Sequence, residues 1–90
     1  PLIYKYKVNL MLVGHQHSYE RSCKVFNLTC TDDGTGTVHI VVGTAGAGLE
    51  TGGFSSTLGD WSLVHTQNWG YLRMTATADQ LAGQFLLNQD

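Results

Sequence analysis

Charge is scarce in this chain: Asp, Glu, Lys and Arg make up 13% of its 90 residues, five basic against seven acidic, for a net charge of −2. A free-standing surface usually carries about a quarter or more, so the composition fits one small domain or a piece of a larger one, and suggests a fragment at once. The lack of a basic excess argues against a general nucleic-acid surface. Long apolar runs are missing too. No stretch reaches the ~18–20 residues of a membrane helix, and the first residues hold no hydrophobic signal segment with a cleavage site; neither nucleic acid nor membrane is expected as a partner. Proline occurs once, as Pro1, and a first residue that is not Met fits a chain that begins mid-protein. Repeats, low-complexity tracts and amphipathic helices of three turns are all absent.

Cysteine is limited to Cys23 and Cys30. Zinc-ribbon and thioredoxin-type pairs are separated by about two to four residues, so metal or redox use of this wider pair is disfavoured. Between the two lies Asn27-Leu28-Thr29, an acceptor sequence for N-glycosylation. A local disulfide and a glycan on Asn27 would both belong to one exposed loop in an oxidising compartment. Each signal alone is weak, since such tripeptides arise by chance and buried free cysteines are common.

What the sequence does have is β-pattern. Val8 to Val13 is a short, continuous apolar run ending at Gly14, typical of a strand covered on both faces. Thr31-Asp32-Asp33-Gly34-Thr35-Gly36 is a dense turn signal. Thr37 to Gly43 follows, rich in β-branched residues. The parse is two strands flanking a polar, Cys-closed excursion, then a glycine-rich loop from 43 to 60. Gly70 to Thr77 alternates Tyr71, Arg73 and Thr75 against Leu72, Met74 and Ala76, and Leu81 to Leu87 supplies a return strand after Asp79-Gln80, so 70 to 87 reads as a β-hairpin. Trp61, Trp69 and Tyr71 are expected in the core or, alternatively, as a ligand platform.

The sharpest local feature is Gly14-His15-Gln16-His17-Ser18-Tyr19-Glu20-Arg21. In an extended segment residues i and i+2 share a face, so two imidazoles beyond a rigid strand end can point into one metal site. Gly14 would leave room there for close backbone approach. Two imidazoles fall short of a full ligand set, and the spacing alone equally suits ordinary polar residues after a core strand. His39, inside a strand, and His65, in a loop near the site, are poor candidates for chemistry.

With its context, the segment resembles the Gly-His-Val-His-x-Tyr-Glu-Arg motif of long-form purple acid phosphatases, in the calcineurin-like metallophosphoesterase superfamily. Val38-His39-Ile40-Val41-Val42-Gly43, Trp61-Ser62 and Trp69-Gly70-Tyr71 extend the likeness over nearly all of the chain. The resemblance implies an α/β fold, with this chain as the C-terminal β-rich portion of a four-layer α/β/β/α sandwich. Residues 1–90 would be one segment of the domain, incomplete alone. By position in the motif, His15 would bind a divalent ion (zinc, manganese or iron(II)) and His17 an iron(III), while Gly14, Tyr19, Glu20 and Arg21 would hold the loop that carries the imidazoles. The family's remaining ligands, including its iron-binding tyrosine, lie upstream. The tail reads Trp69-Gly70-Tyr71-Leu72 where many plant members carry Phe-Gly-His-Gly, which suggests distance from those members.

The implied activity is hydrolysis of phosphate monoesters at acidic pH by an Fe(III)–M(II) centre, in a secreted, vacuolar or lysosomal protein. Its expected partners are the upstream part of the same domain, a phosphate-ester substrate and a second copy in a homodimer. Two other readings stand beside it. One is another dinuclear metallophosphoesterase, a phosphodiesterase or nucleotide pyrophosphatase; the other is a non-catalytic β-rich binding module in which the His pair is incidental.

Overall fold

The computed structural model of the protein describes residues 2–50 and 59–88. The chain opens with one helical turn, α1 (Leu2–Lys5). Lys7, at φ 52°, closes it: Lys7 N–H donates to Tyr4 O and Val8 N–H to Ile3 O, a Schellman-type stop. Among the described residues seven strands follow: β1 (Leu10–Val13), β2 (Tyr19–Phe26), β3 (Thr29–Cys30), β4 (Thr37–Val42), β5 (Ser62–Thr66), β6 (Gly70–Ala76) and β7 (Leu81–Leu87).

The larger sheet has β4 at its centre. β1 pairs with it in parallel, Leu10 opposite Val38 and Val13 opposite Val41, and β2 pairs antiparallel on its other side. The far edge of β2 is shared by β5 along its first half and β3 along its second. Thr, Val and Ile in β4 suit a pleated strand with neighbours on both sides. The second sheet is the β6–β7 hairpin, in register from Gly70 opposite Leu87 to Ala76 opposite Leu81. Its Leu72 and Met74 are half-buried while Tyr71, Arg73 and Thr75 are exposed, as the alternation requires.

The two layers face each other across a cleft lined by Leu10, Tyr19, Ile40, Leu72, Met74 and Phe85. Tyr19 stacks on Phe85, centroids 4.0 Å apart and planes 14° apart. These are two β layers of the expected sandwich; among the described residues helix is confined to the single turn α1.

Three expectations change. The excursion between β1 and β4 contains strands, β2 and β3, because Ser22 buries its hydroxyl at a bulge. Its Oγ accepts from His39 N–H at 2.8 Å and donates to Cys23 O at 2.6 Å, replacing a ladder bond where the register slips between Arg21 and Lys24. Trp69 and Tyr71 are about half exposed rather than core, since β6 turns its Tyr71 face away from the other layer. The glycine-rich loop is irregular from 43 to 50, and its residues 51–58 lie outside the described residues.

Tyr19 and Ile40 are the buried large apolar residues among those described, while Met11, Leu12 and Val13 of β1 are exposed. The apolar run is a strand, as expected, without a second cover from the described residues.

Candidate metal centre

β1 and β4 run parallel, so the segments after Val13 and Val42 leave the sheet at the same end, where β2 begins. Ligand sites in sheets with parallel strands favour those carboxyl ends. Two backbone segments meet there: 14–18, which carries the imidazoles, and 43–50, which is rich in glycine.

The 14–18 segment is not extended. Gln16 N–H donates to Gly14 O at 3.0 Å and Ser18 N–H to Gln16 O at 2.8 Å, giving two successive three-residue turns centred on His15 and His17. His15 takes φ 77°. A non-glycine residue there costs about 1–3 kcal/mol and persists only where its surroundings hold it, which happens most often at functional sites. Turn geometry, rather than strand periodicity, therefore presents the two rings.

The second segment is the holder. Gly43 N–H donates to Ser18 O at 3.0 Å, and Glu50 N–H to His17 O at 3.0 Å. The Nδ1 of His17 bonds to the carbonyl of Gly48 at 2.6 Å. A carbonyl only accepts, so Nδ1 is the donor, an arrangement that in a neutral imidazole leaves the lone pair on Nε2. Metal-binding histidines commonly donate their other ring N–H to such an acceptor. The holder is itself anchored: Trp69 Nε1 donates to Ala47 O at 3.1 Å, and the fully buried Thr44 donates its hydroxyl to Gly70 O at 3.2 Å.

His15 is exposed and His17 half-buried. Gly14 has room for a Cβ, 3.8 Å from Val42 O; the close approach falls instead at Gly43. Tyr19 locks the end of the turn by stacking on Phe85. Glu20 and Arg21 point elsewhere: the Glu20 carboxylate accepts from Ser62 Oγ at 2.8 Å, and Arg21 lines the interlayer cleft. His65, expected in a loop, is on β5 opposite Glu20. His39 is on β4, as expected. Gly43, Thr44, Gly48 and Trp69 are the supporting residues that pattern-reading missed, because three of them act through backbone or indole groups that leave no metal-site signature.

The donor chemistry fits a metal, but partially. Among the described residues no group of three His, Cys, Asp or Glu side chains could hold an ion, whereas zinc sites use about three or four protein ligands. This chain offers two imidazoles, one of them oriented by a carbonyl.

Away from this end, Cys23 and Cys30 form the expected disulfide, Cα atoms 5.7 Å apart, across the β2–β3 hairpin. Asn27 is exposed at its tip.

Residues 36–90 match the sequence model of the family described as iron/zinc purple acid phosphatase-like protein C. The chain is 42% identical over 81 residues to "Probable inactive purple acid phosphatase 24" of Arabidopsis thaliana, covering 81% of this chain and 13% of that protein. It is 29% identical over 80 residues to the "Nucleotide pyrophosphatase/phosphodiesterase" of Hordeum vulgare, covering 80% of this chain and 21% of that one. The solved purple acid phosphatase PPD1 from yellow lupin (Lupinus luteus) seeds superposes with a TM-score of 0.73 at 34% identity, over 83% of this chain and 14% of that one. The altered tail at Trp69-Gly70-Tyr71-Leu72 therefore does not mark distance from plant members. The chain spans about one-seventh of the lupin protein's length. It belongs to the purple acid phosphatase family and corresponds to the C-terminal portion of that family's metallophosphoesterase domain.

Proposed function

We propose that this chain supplies two imidazole ligands to a dinuclear centre, His17 to an iron(III) and His15 to a divalent ion, zinc, manganese or iron(II). The other ligands come from the preceding part of the same domain, and the assembled protein hydrolyses phosphate monoesters at acidic pH. The observation that carries this reading is the His17 Nδ1 bond to Gly48 O beside a His15 held at positive φ.

Two metals, held in part by His15 and His17, would supply an activated water and neutralise charge on the phosphoryl oxygens. The chain's own part is orientation. Gly48 O takes up His17 Nδ1 and so leaves Nε2 as the ring nitrogen for a cation, and neutral imidazoles hold cations without cancelling their charge. Gly43 and Glu50 clamp the turn from the backbone side, and Tyr19 on Phe85 ties it to the second layer.

The bare apolar residues of β1, Met11, Leu12 and Val13, support the reading that residues 1–90 are incomplete alone and are covered by upstream chain. The disulfide supports an extracytoplasmic setting, secreted, vacuolar or lysosomal, in which Asn27 would be glycosylated. A homodimer is part of the same proposal, from the family resemblance.

Two relatives' names favour second readings: the barley protein a phosphodiesterase or pyrophosphatase, the Arabidopsis protein an inactive member. Assay of the complete protein on a chromogenic phosphate monoester, the matching diester and a nucleotide pyrophosphate separates them. Preferred monoester turnover below neutral pH is expected. Preferred diester or pyrophosphate turnover would support the barley-type reading, and bound metal without turnover on any of the three the inactive one.

A further inference from the structure

The tip of the β2–β3 hairpin is a two-residue turn. Val25 pairs with Cys30 and Phe26 with Thr29, and between them Asn27 and Leu28 take φ 53° and 64°. Two positive φ angles in succession make the type I′ turn that matches strand twist. Asn tolerates that conformation, and Leu28 accepts it while remaining 81% exposed. The turn is therefore held by the hairpin and its disulfide, not by burial of its own side chains.

Phe26 and Thr29 are directly opposite, so their side chains leave the hairpin on one face. Phe26 is 41% exposed even though the Tyr4 ring lies against it, centroids 4.8 Å apart. Phe26 and Tyr4, with Ile3 and Val25, line an apolar groove that also includes Asn27 and Leu28. The acceptor asparagine is thus on the rim of an aromatic surface with unfilled space beside it.

We propose that Asn27 carries an N-linked glycan whose first N-acetylglucosamine packs on the Phe26 ring and occupies this groove. Asn27 Nδ2 forms the bond to sugar C1 as the C1–O bond to a lipid-diphosphate-linked oligosaccharide breaks. The bonding pair departs with the diphosphate, and the amide proton passes to the transferase's base. Leu28 is not proline and Thr29 supplies the hydroxyl of the acceptor sequence. Pyranose C–H bonds are slightly positive and an aromatic face is negative, so a sugar one residue from Phe26 has both tether and partner. Because the sugar is covalently attached at the groove's edge, its local concentration there is high without any separate binding site. The proposal rests on the extracytoplasmic setting and is independent of metal binding and phosphatase activity.

The test uses the complete protein secreted from a eukaryotic host. Peptide mapping reads occupancy of Asn27, and hydrogen–deuterium exchange reads residues 24–31 in protein trimmed to a single N-acetylglucosamine and in Asn27→Gln, each in the native and Phe26→Leu backgrounds. Occupied Asn27 is expected, with exchange about two- to tenfold faster in Asn27→Gln, the size of one aromatic contact. That difference should vanish in Phe26→Leu, which keeps apolar bulk but removes the ring face, so that strain from Gln in the turn cancels across the cycle. An unoccupied Asn27, or an equal difference in both backgrounds, overturns the proposal. Neither readout involves metal or turnover.

Discussion

Gly43 passes so close to the imidazole-bearing turn that a Cβ at this position would stand 1.8 Å from the carbonyl oxygen of Gln16. The obstacle is backbone, so no side-chain rotation relieves it. Gly43→Ala is expected to push the 14–18 turn off the hydrogen bonds that Gly43 N–H donates to Ser18 O and Glu50 N–H to His17 O, destabilising by about 1–3 kcal/mol. If that turn presents the ligands, metal affinity falls by about 10–100-fold as well. Denaturant unfolding and metal titration of the complete protein check the two effects, and Gly14→Ala, with room for its methyl within this chain, serves as the comparison.

Tyr19 stacked on Phe85 links the two sheets. Phe85→Ala removes the stack and uncovers a ring that is 2% exposed. The expected cost is about 3 kcal/mol or more, with exchange protection lost first around Tyr19. Phe85→Leu, which keeps apolar volume, is expected to cost about half as much, and thermal unfolding of both variants measures it.

Strands that bury apolar side chains on a regular period were legible in advance. The 70–87 hairpin shows its alternation through Leu72 and Met74, and β4 its β-branched run. β2 was not legible, because Tyr-Glu-Arg-Ser-Cys-Lys-Val-Phe alternates poorly and the bulge at Ser22 buries a hydroxyl in place of an apolar group. β5, Ser-Leu-Val-His-Thr, is short and mostly exposed, and derives its order from pairing with β2. At the proposed metal centre the two histidines stood out by residue type. Their presentation did not, since positive φ at His15 and a carbonyl from Gly48 are backbone properties that a side-chain pattern does not record.

The Cys23–Cys30 bond closes a loop of short sequence separation, 7 residues. On the chain-entropy account such a loop contributes about 2.5 kcal/mol. Replacing both cysteines by alanine is expected to lower unfolding stability by roughly that amount and to loosen the hairpin tip, leaving the 14–18 turn intact. Denaturation together with exchange mapping of residues 23–30 checks it.

Asp33 is held below the usual carboxylate range, first by the Thr35 hydroxyl, then by the Thr35 backbone N–H and by Thr31. A carboxylate with a lowered folded-state pKa contributes stability above its unfolded value of about 3.9, and that contribution is lost as pH falls through the lower folded value. Carboxyl-carbon NMR titration should place the Asp33 midpoint under 3.9 by this account. Thr35→Val should move it back up. Being exposed, the group shifts local order in the 31–36 turn more than global stability.

The most direct measurement is elemental analysis of iron and divalent metal in the complete protein and in its His15→Ala and His17→Ala variants. The account predicts that His17→Ala loses iron and His15→Ala loses the divalent ion, each with loss of turnover and with folding retained by circular dichroism. Both variants holding both metals at the parent ratio, with parent turnover, would contradict it.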